Sequence, residues 1–433
     1  MKKNSDIRKK IRNLLIEKGA LYVIIGNFST KFITYFGSVF LIWILTKENY
    51  GYVEYVENIY GYVYIFAGFG MGISIIRFIV SAETEDEEKG YYNYAIKKGF
   101  VYNIFLLIIA LLFAYIYPHP EEFASTKWLL IILILALPFQ NFIDIALSTF
   151  RGKFKNNHFA IFSVLFSIFL LLFKFLGALV YNIHGAIIGR LSLTLIFSIS
   201  ILLFTYRNYF TKTSHYSITR EKRREIRNYS IQYMFTNSIW AIFMLNSIFL
   251  IGIILKDSSL IADYKAAYVL PGAIAVISSA IGYFVAPYFI KNEKNHEWVR
   301  KNFKSLYLFG IIIIGIISLL MFILSPIIIS LIFGDRYANI TGLMRMLIIS
   351  SFINNALRYP ISNVLSAMGL IKQNLVISII GVVGQILLNI LFLNNVGIIM
   401  IPISNVIIYS LMTITLVIVF KKQFYSIKEK TLI

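Results

Sequence analysis

The chain has no cysteine, which excludes disulfides, thiolate catalysis and sulfur-ligated metals. Its five histidines (His119, His158, His184, His215 and His296) are scattered and show no metal-ligand spacing. Charge is scarce as well. Only 14% of the 433 residues are charged, against 58% hydrophobic, too little to cover a soluble domain of this size. No stretch of ordinary globular composition is long enough to fold as a soluble module, so catalysis on such a module is excluded.

What is abundant is long apolar sequence. Runs of about 18 residues or more recur along the whole chain, each long enough to cross a hydrocarbon core of ~30 Å. Read as spans they fall at 20–45, 52–80, 99–117, 128–150, 159–181 and 185–206, then at 229–255, 265–290, 305–333, 342–368, 375–393 and 398–420. The first follows a basic tail and lacks a small-residue cleavage pattern, so it is read as a retained helix. The expected fold is an all-α integral membrane protein of about twelve transmembrane helices. With the N-terminus in the cytoplasm, 30 of the 41 lysines and arginines fall in cytoplasmic segments and five in outer loops. That asymmetry is the positive-inside bias. It puts both termini in the cytoplasm and makes a nucleic-acid partner unnecessary to explain the net charge of +20.

The longest internal basic loop divides the spans six and six. The expected organisation is an N-terminal lobe (1–206), a cytoplasmic linker (207–228) and a C-terminal lobe (229–433). Laying one half on the other pairs Asn27 with Asn237, and Leu147-Ser148 with Leu365-Ser366, in keeping with a duplicated unit and a substrate site near the midplane. A two-lobed chain of this kind makes a monomer reasonable.

A charge inside a span costs about 2.5–3.5 kcal/mol on insertion scales, so its position is informative. Lys31, Lys174 and Arg358 sit well inside their spans, whereas Arg77, Arg190 and Arg345 lie nearer the ends, within reach of snorkelling. Asn27, Lys31, Thr34 and Ser38 share one helix face, which lipid cannot satisfy. Ser163, Ser167 and Lys174 repeat the pattern, as do Ser351, Asn355, Arg358 and Ser362, and then Ser378, Gln385 and Asn389. Embedded carboxylates are fewer: Glu54, Glu57 and Asp144. The excess of cations predicts a lumen of positive potential that focuses an anionic substrate. Asn27 and the six cations are the candidate substrate-binding residues. Glu57 and Asp144 are candidates for pairing with those cations or for binding a coupling proton or sodium ion, pairing being preferred. No metal or other cofactor is called for. The acidic cluster Glu83 to Glu88 reads as a solvated loop. Tyr60 and Tyr64 read first as packing residues and second as sugar-stacking ones.

Four motifs then carry a resemblance. They are Leu45-Thr46-Lys47-Glu48-Asn49-Tyr50-Gly51; Phe69-Gly70-Met71-Gly72 with Ile76-Arg77-Phe78; Leu331-Ile332-Phe333-Gly334-Asp335-Arg336-Tyr337-Ala338; and Leu365-Ser366-Ala367-Met368-Gly369 leading to Asn374. In this order and spacing the chain resembles the polysaccharide repeat-unit (O-antigen, capsule and teichoic-acid) flippases of the multidrug/oligosaccharidyl-lipid/polysaccharide exporter superfamily. The resemblance implies two six-helix lobes around a central cavity, alternating access, and a place in the bacterial inner membrane. It also implies movement of an undecaprenyl-pyrophosphate-linked oligosaccharide from the cytoplasmic to the outer leaflet. The chain departs from the pattern in helix seven, where Asn246-Ser247 stands at a position that is acidic in many members. Two other readings compete. A drug exporter of the same superfamily should present functional carboxylates to organic cations. A membrane enzyme of polysaccharide assembly should present a large outer loop or a His/Asp cluster, and ranks last.

Overall fold

A computed structural model describes residues 20–117, 119–211 and 216–425. The basic tail before Ala20, His215 and the stretch beyond Tyr425 lie outside the described residues. Every regular element among those described is helical. Contacts divide the chain into two compact units, Met1–Ala241 and Ile242–Ile433.

In the N-terminal unit, α1 (Ala20–Ile44) is followed by α2 (Lys47–Tyr64), whose first turn is capped by Thr46 accepting from the Asn49 N–H at 3.2 Å. α2 leads into a short 3₁₀ turn (Ala67–Gly70) before α3 (Met71–Val80), and the apolar stretch is bent by 47° at this break. Glycine is required in that turn. Gly68 and Gly70 have φ of 54° and 78°, in the left-handed region, and a Cβ on Gly68 would stand 2.9 Å from the Asn141 Cγ. The Gly68 N–H donates to Asn103 Oδ1 at 2.9 Å. α4 (Glu85–Ile116) starts at the cap Thr84, with Glu85, Asp86, Glu87 and Glu88 filling its first turn. The acidic cluster read as a loop is therefore, from Glu85 on, a helix start, where carboxylates meet the positive end of the backbone dipole. α5 (Lys127–Ile134) and α6 (Leu137–Gly152) make a second bent pair, with Pro138 in the first turn of α6.

α7 (Asn156–Tyr209) is 54 residues long, about 80 Å if straight and far more than a bilayer needs. It instead folds back at Tyr181 and Asn182, the latter with φ 51° and ψ −135°. A Cβ on Gly177 would fall 2.6 Å from the Gly185 carbonyl carbon, and one on Gly189 2.8 Å from that of Phe173. Farther from the fold, Phe162 meets Phe204 with ring centroids 4.7 Å apart, and His158 bonds the Tyr209 hydroxyl. The two arms are thus an antiparallel hairpin whose backbones touch through glycines, and they correspond to the expected spans 159–181 and 185–206. α1 lies alongside the first arm, Gly26 against Ala160 and Gly37 against Leu171. α8 (Arg220–Leu250) begins in this unit. Ser230 shares a 2.5 Å hydrogen bond with Ser74, while Ile218 and Ile226 are buried beside Phe78 and Tyr91. These contacts explain why the division falls at Ala241, later than the expected linker: the basic segment, where described, packs on the N-terminal unit.

The C-terminal unit starts within α8, which ends in a π-turn (Ile251–Leu255). Then come α9 (Ser258–Lys291), α10 (His296–Phe333), α11 (Thr341–Phe352), a second π-turn (Ile353–Arg358), α12 (Tyr359–Ala367), α13 (Ile371–Val396) and α14 (Met400–Tyr425). Asp257 caps α9, accepting from the Ser259 N–H at 2.8 Å. Asn295 caps α10, accepting from the Trp298 N–H at 3.0 Å.

Both units are turned inside out relative to a soluble protein. Ile312, Ile316, Leu319, Leu320, Ile323 and Ile327 of α10 are exposed, as are Ile380, Val383, Leu387, Ile390 and Leu391 of α13, whereas Asn103, Gln385 and Asn389 are buried. A continuous apolar exterior of this extent fits lipid, not water. Among the described residues, eight helices are long and apolar enough to cross a membrane, ten with each bent pair taken as one crossing. With the second arm of α7 and with α1, this is consistent with the twelve crossings expected.

Candidate functional site

The candidate site in the N-terminal unit is built on the α7 hairpin. Pairing Phe173 with Gly189 sets Lys174 on one arm level with Arg190 on the other, and α2 brings Glu57 between them. The Lys174 Nζ lies 2.6 Å from Glu57 Oε1, and the Arg190 Nη1 lies 2.6 Å from Oε2. Each carboxylate oxygen takes one cation. The three side chains retain 12–19% of their exposure, so they are sheltered without being sealed. Glu54, one turn earlier on α2 and only 6% exposed, is close enough to Arg190 to interact electrostatically.

From Arg190 the polar path continues along α2. Its guanidinium carbon lies 4.8 Å from the centroid of the Tyr60 ring, a cation–π contact. Tyr60 stacks on Tyr64 at 6.1 Å with 11° between planes. The Tyr64 hydroxyl donates to Asp144 Oδ2, and the Gln140 Nε2 donates to Asp144 Oδ1 at 3.5 Å. The local reason is periodicity. Residues 57, 60 and 64 share a face of α2, and 140 and 144 stand one turn apart on α6. α3 leaves room for the carboxylate because it presents Gly72, whose Cβ would fall 3.0 Å from that of Asp144.

The other expected site residues lie elsewhere. Lys31 is exposed on α1. The register of α1 on the first arm sets it nine residues, or about 14 Å, below the level of Lys174. The hydroxyls of its polar stripe are satisfied within the helix, Thr34 donating to the Thr30 carbonyl at 2.8 Å and Ser38 to that of Tyr35 at 2.6 Å, and Asn27 is half-buried. Arg77 is exposed at the last turn of α3, its guanidinium 4.5 Å from the Tyr229 ring centroid.

In the C-terminal unit, Arg345 donates from Nε to Ser325 Oγ at 3.0 Å and to the Phe322 carbonyl at 3.3 Å. Arg358 closes the second π-turn, 4% exposed, with Nε donating to Asn354 Oδ1 at 2.7 Å and the guanidinium 5.7 Å from the Tyr409 ring centroid. Of the candidates, then, the structure joins Lys174, Arg190 and Glu57, and links them through two tyrosines to Asp144.

Sequence reasoning missed the bridging roles of Tyr60, Tyr64 and Gln140. The helical spacing 57/60/64 and the one-turn offset 140/144 were the available signals. It also missed Asn405, which belongs to a buried amide chain of the C-terminal unit. The Asn246 Nδ2 donates to Gln385 Oε1 at 2.9 Å, and the Gln385 Nε2 donates to Asn405 Oδ1. A lone asparagine in the apolar run of α14 was its only mark. The chain ties α8, α13 and α14 with uncharged groups, at the place where Asn246 stands for the acidic residue of the resemblance.

Comparison with known proteins sharpens the identity. A family profile described as polysaccharide biosynthesis protein matches residues 16–293. No sequence among the curated proteins matches the chain significantly. Among solved structures, an inward-facing multidrug-resistance MATE family transporter of the MOP superfamily superposes with a TM-score of 0.76 at 13% identity, over 94% of this chain and 99% of the other. The lipid II flippase MurJ, inward closed, superposes at 0.72 with 18% identity, over 93% and 87%. A MOP superfamily transporter from Pyrococcus furiosus, described as having a binding pocket of reverse polarity, superposes at 0.63 with 15% identity, over 97% and 98%. Identities this low speak for the fold alone, but the matched profile spans well over half the chain. A helical membrane protein with this profile belongs to the polysaccharide biosynthesis protein family.

Proposed function

We propose that the chain is a flippase that moves an undecaprenyl-pyrophosphate-linked anionic oligosaccharide from the cytoplasmic to the outer leaflet of the bacterial inner membrane. It works by alternating access, as a monomer with both termini in the cytoplasm. The observation that carries the reading is the convergence of Lys174 and Arg190, two cations from opposite arms of one hairpin, on one sheltered carboxylate of α2. Two cations at one level suit a diphosphate, which offers several anionic oxygens to donors of this kind. Tyr60 and Tyr64 beside them offer flat apolar faces and hydroxyls to sugar rings, and the prenyl tail can stay in lipid. The lipid II flippase among the structural relatives supports a lipid-linked substrate class.

The test is Lys174→Ala and Arg190→Ala in cells, scored by surface polysaccharide against membrane abundance. Each should lower export about tenfold or more at normal abundance, the scale for deleting one partner of a sheltered charged contact. Full export by both variants would contradict the role of this pair.

A second reading is a drug exporter, favoured by Asp144, a half-buried carboxylate facing neutral partners that could receive an organic cation. On that reading Asp144→Asn, with the hairpin cations left intact, alters sensitivity to cationic drugs and leaves surface polymer unchanged.

A further inference from the structure

Glu57 stands between Lys174 and Arg190. Its two oxygens lie 2.6 Å from Lys174 Nζ and 2.6 Å from Arg190 Nη1, so both cations are already engaged by an anion belonging to the protein. Those are its only hydrogen-bond and ion-pair partners among the described residues. No neutral donor fixes the carboxylate independently of the cations. This differs from Asp144, held by a tyrosine and a glutamine, and from Glu88, whose partner Lys153 also lies over the Tyr209 and Phe210 rings. The side chain of Glu57 keeps 19% of its exposure, so an anion can reach the cations it covers.

We infer that Glu57 is a resident stand-in for the substrate's diphosphate, occupying Lys174 and Arg190 until a stronger anion displaces it. The inference rests on the reading of these cations as a diphosphate site. It adds a specificity device. Two sheltered cations left alone repel one another and lose water, a costly arrangement, and the carboxylate compensates them between transport events. It also sets a threshold. A ligand must outcompete a tethered carboxylate, which disfavours monocarboxylates and neutral sugars and favours groups that engage both cations at once. Once displaced, Glu57 loses both partners, and α2 is no longer tied to either arm of α7 through this contact.

The test uses the purified full chain in detergent, with inorganic pyrophosphate as probe and calorimetric titration as readout. Glu57→Gln should bind pyrophosphate about tenfold more tightly than the wild type, the factor expected when a site nine-tenths occupied by its own carboxylate is freed. Adding Lys174→Ala to that variant should abolish the gain. Glu57→Asp, too short to reach both cations, should lie between, and it serves as the test if the glutamine variant does not fold.

Unchanged or weaker binding by folded Glu57→Gln or Glu57→Asp would overturn the inference, as would tightening that survives Lys174→Ala. Loss of folded protein from both variants without rescue by pyrophosphate would make Glu57 a structural tie and overturn it too. Failure here beside loss of export in Lys174→Ala would leave the flippase reading standing, whereas normal export in the lysine and arginine variants would remove both.

Discussion

Glu57 and Asp144 are carboxylates of the same unit with opposite surroundings. Glu57 faces two cations, and Asp144 faces neutral groups. Around Asp144, α2 presents the Tyr64 hydroxyl with Tyr60 beyond it, α6 itself presents Gln140, and α3 presents Gly72. α4 packs against the same helix with Gly99, next to Asn141. Arg190 on α7 is the nearest cation along this path and is separated by Tyr60. A sheltered carboxylate with neutral partners can exchange a proton without breaking an ion pair, whereas one held by two cations cannot. Asp144 is therefore the better candidate for ion coupling. Asp144→Asn is expected to uncouple export from the proton gradient while leaving pyrophosphate binding intact. Unchanged dependence on the gradient in that variant would rule the role out. The sequence showed that these carboxylates were embedded and that pairing was the preferred fate of such groups. It did not show the partners, because Lys174 is 117 positions from Glu57 and no local pattern encodes that contact. Lys31 was legible as a charge in a span, but its distance from the pair depends on how α1 registers against α7.

At the scale of elements, the apolar runs made the crossings legible, and the breaks within them were hidden. The α7 arms were expected as separate spans, yet the tight contact through Gly177, Gly185 and Gly189 appears only when the arms are paired. The open end of that hairpin carries a pH-sensitive clasp. His158 bonds Tyr209 across the arms and sits among Phe150, Phe204 and Tyr209. Burial, with the nearby charge of Lys155, holds its imidazole below the ordinary histidine value of 6.5. The unfolded chain therefore binds a proton before the folded chain does as pH falls. The clasp contributes its full stability above about pH 6.5 and loses it progressively below, towards the lowered folded value. Amide protection near 204–209, taken relative to intrinsic exchange, is expected to fall between pH 6.5 and 5, and His158→Phe is expected to flatten that trend. Equal loss of protection in the variant would place the pH response elsewhere. Another expectation changed at this scale: the acidic residues from Glu85 on form the first turn of a helix, a role that composition alone could not separate from a solvated loop.

For the whole molecule, the scarcity of charge, the long apolar runs and the four motifs were enough to mark the chain as a helical membrane protein of polysaccharide biosynthesis, and the match over residues 16–293 agrees. The division of the chain was less legible. The basic stretch after the sixth crossing looked like a linker because its charge is high, but Ile218, Ile226 and Ser230 anchor its described part to the N-terminal unit. A few apolar residues among many cations decided the packing, and the charge obscured them.

The measurement that bears most directly on the flippase reading is the leaflet distribution of lipid-linked repeat units in cells lacking this gene, read together with surface polysaccharide. The account predicts accumulation in the cytoplasmic leaflet and loss of surface polymer, both reversed by the intact gene and not by Lys174→Ala. A normal lipid-linked pool with normal surface polymer would contradict it.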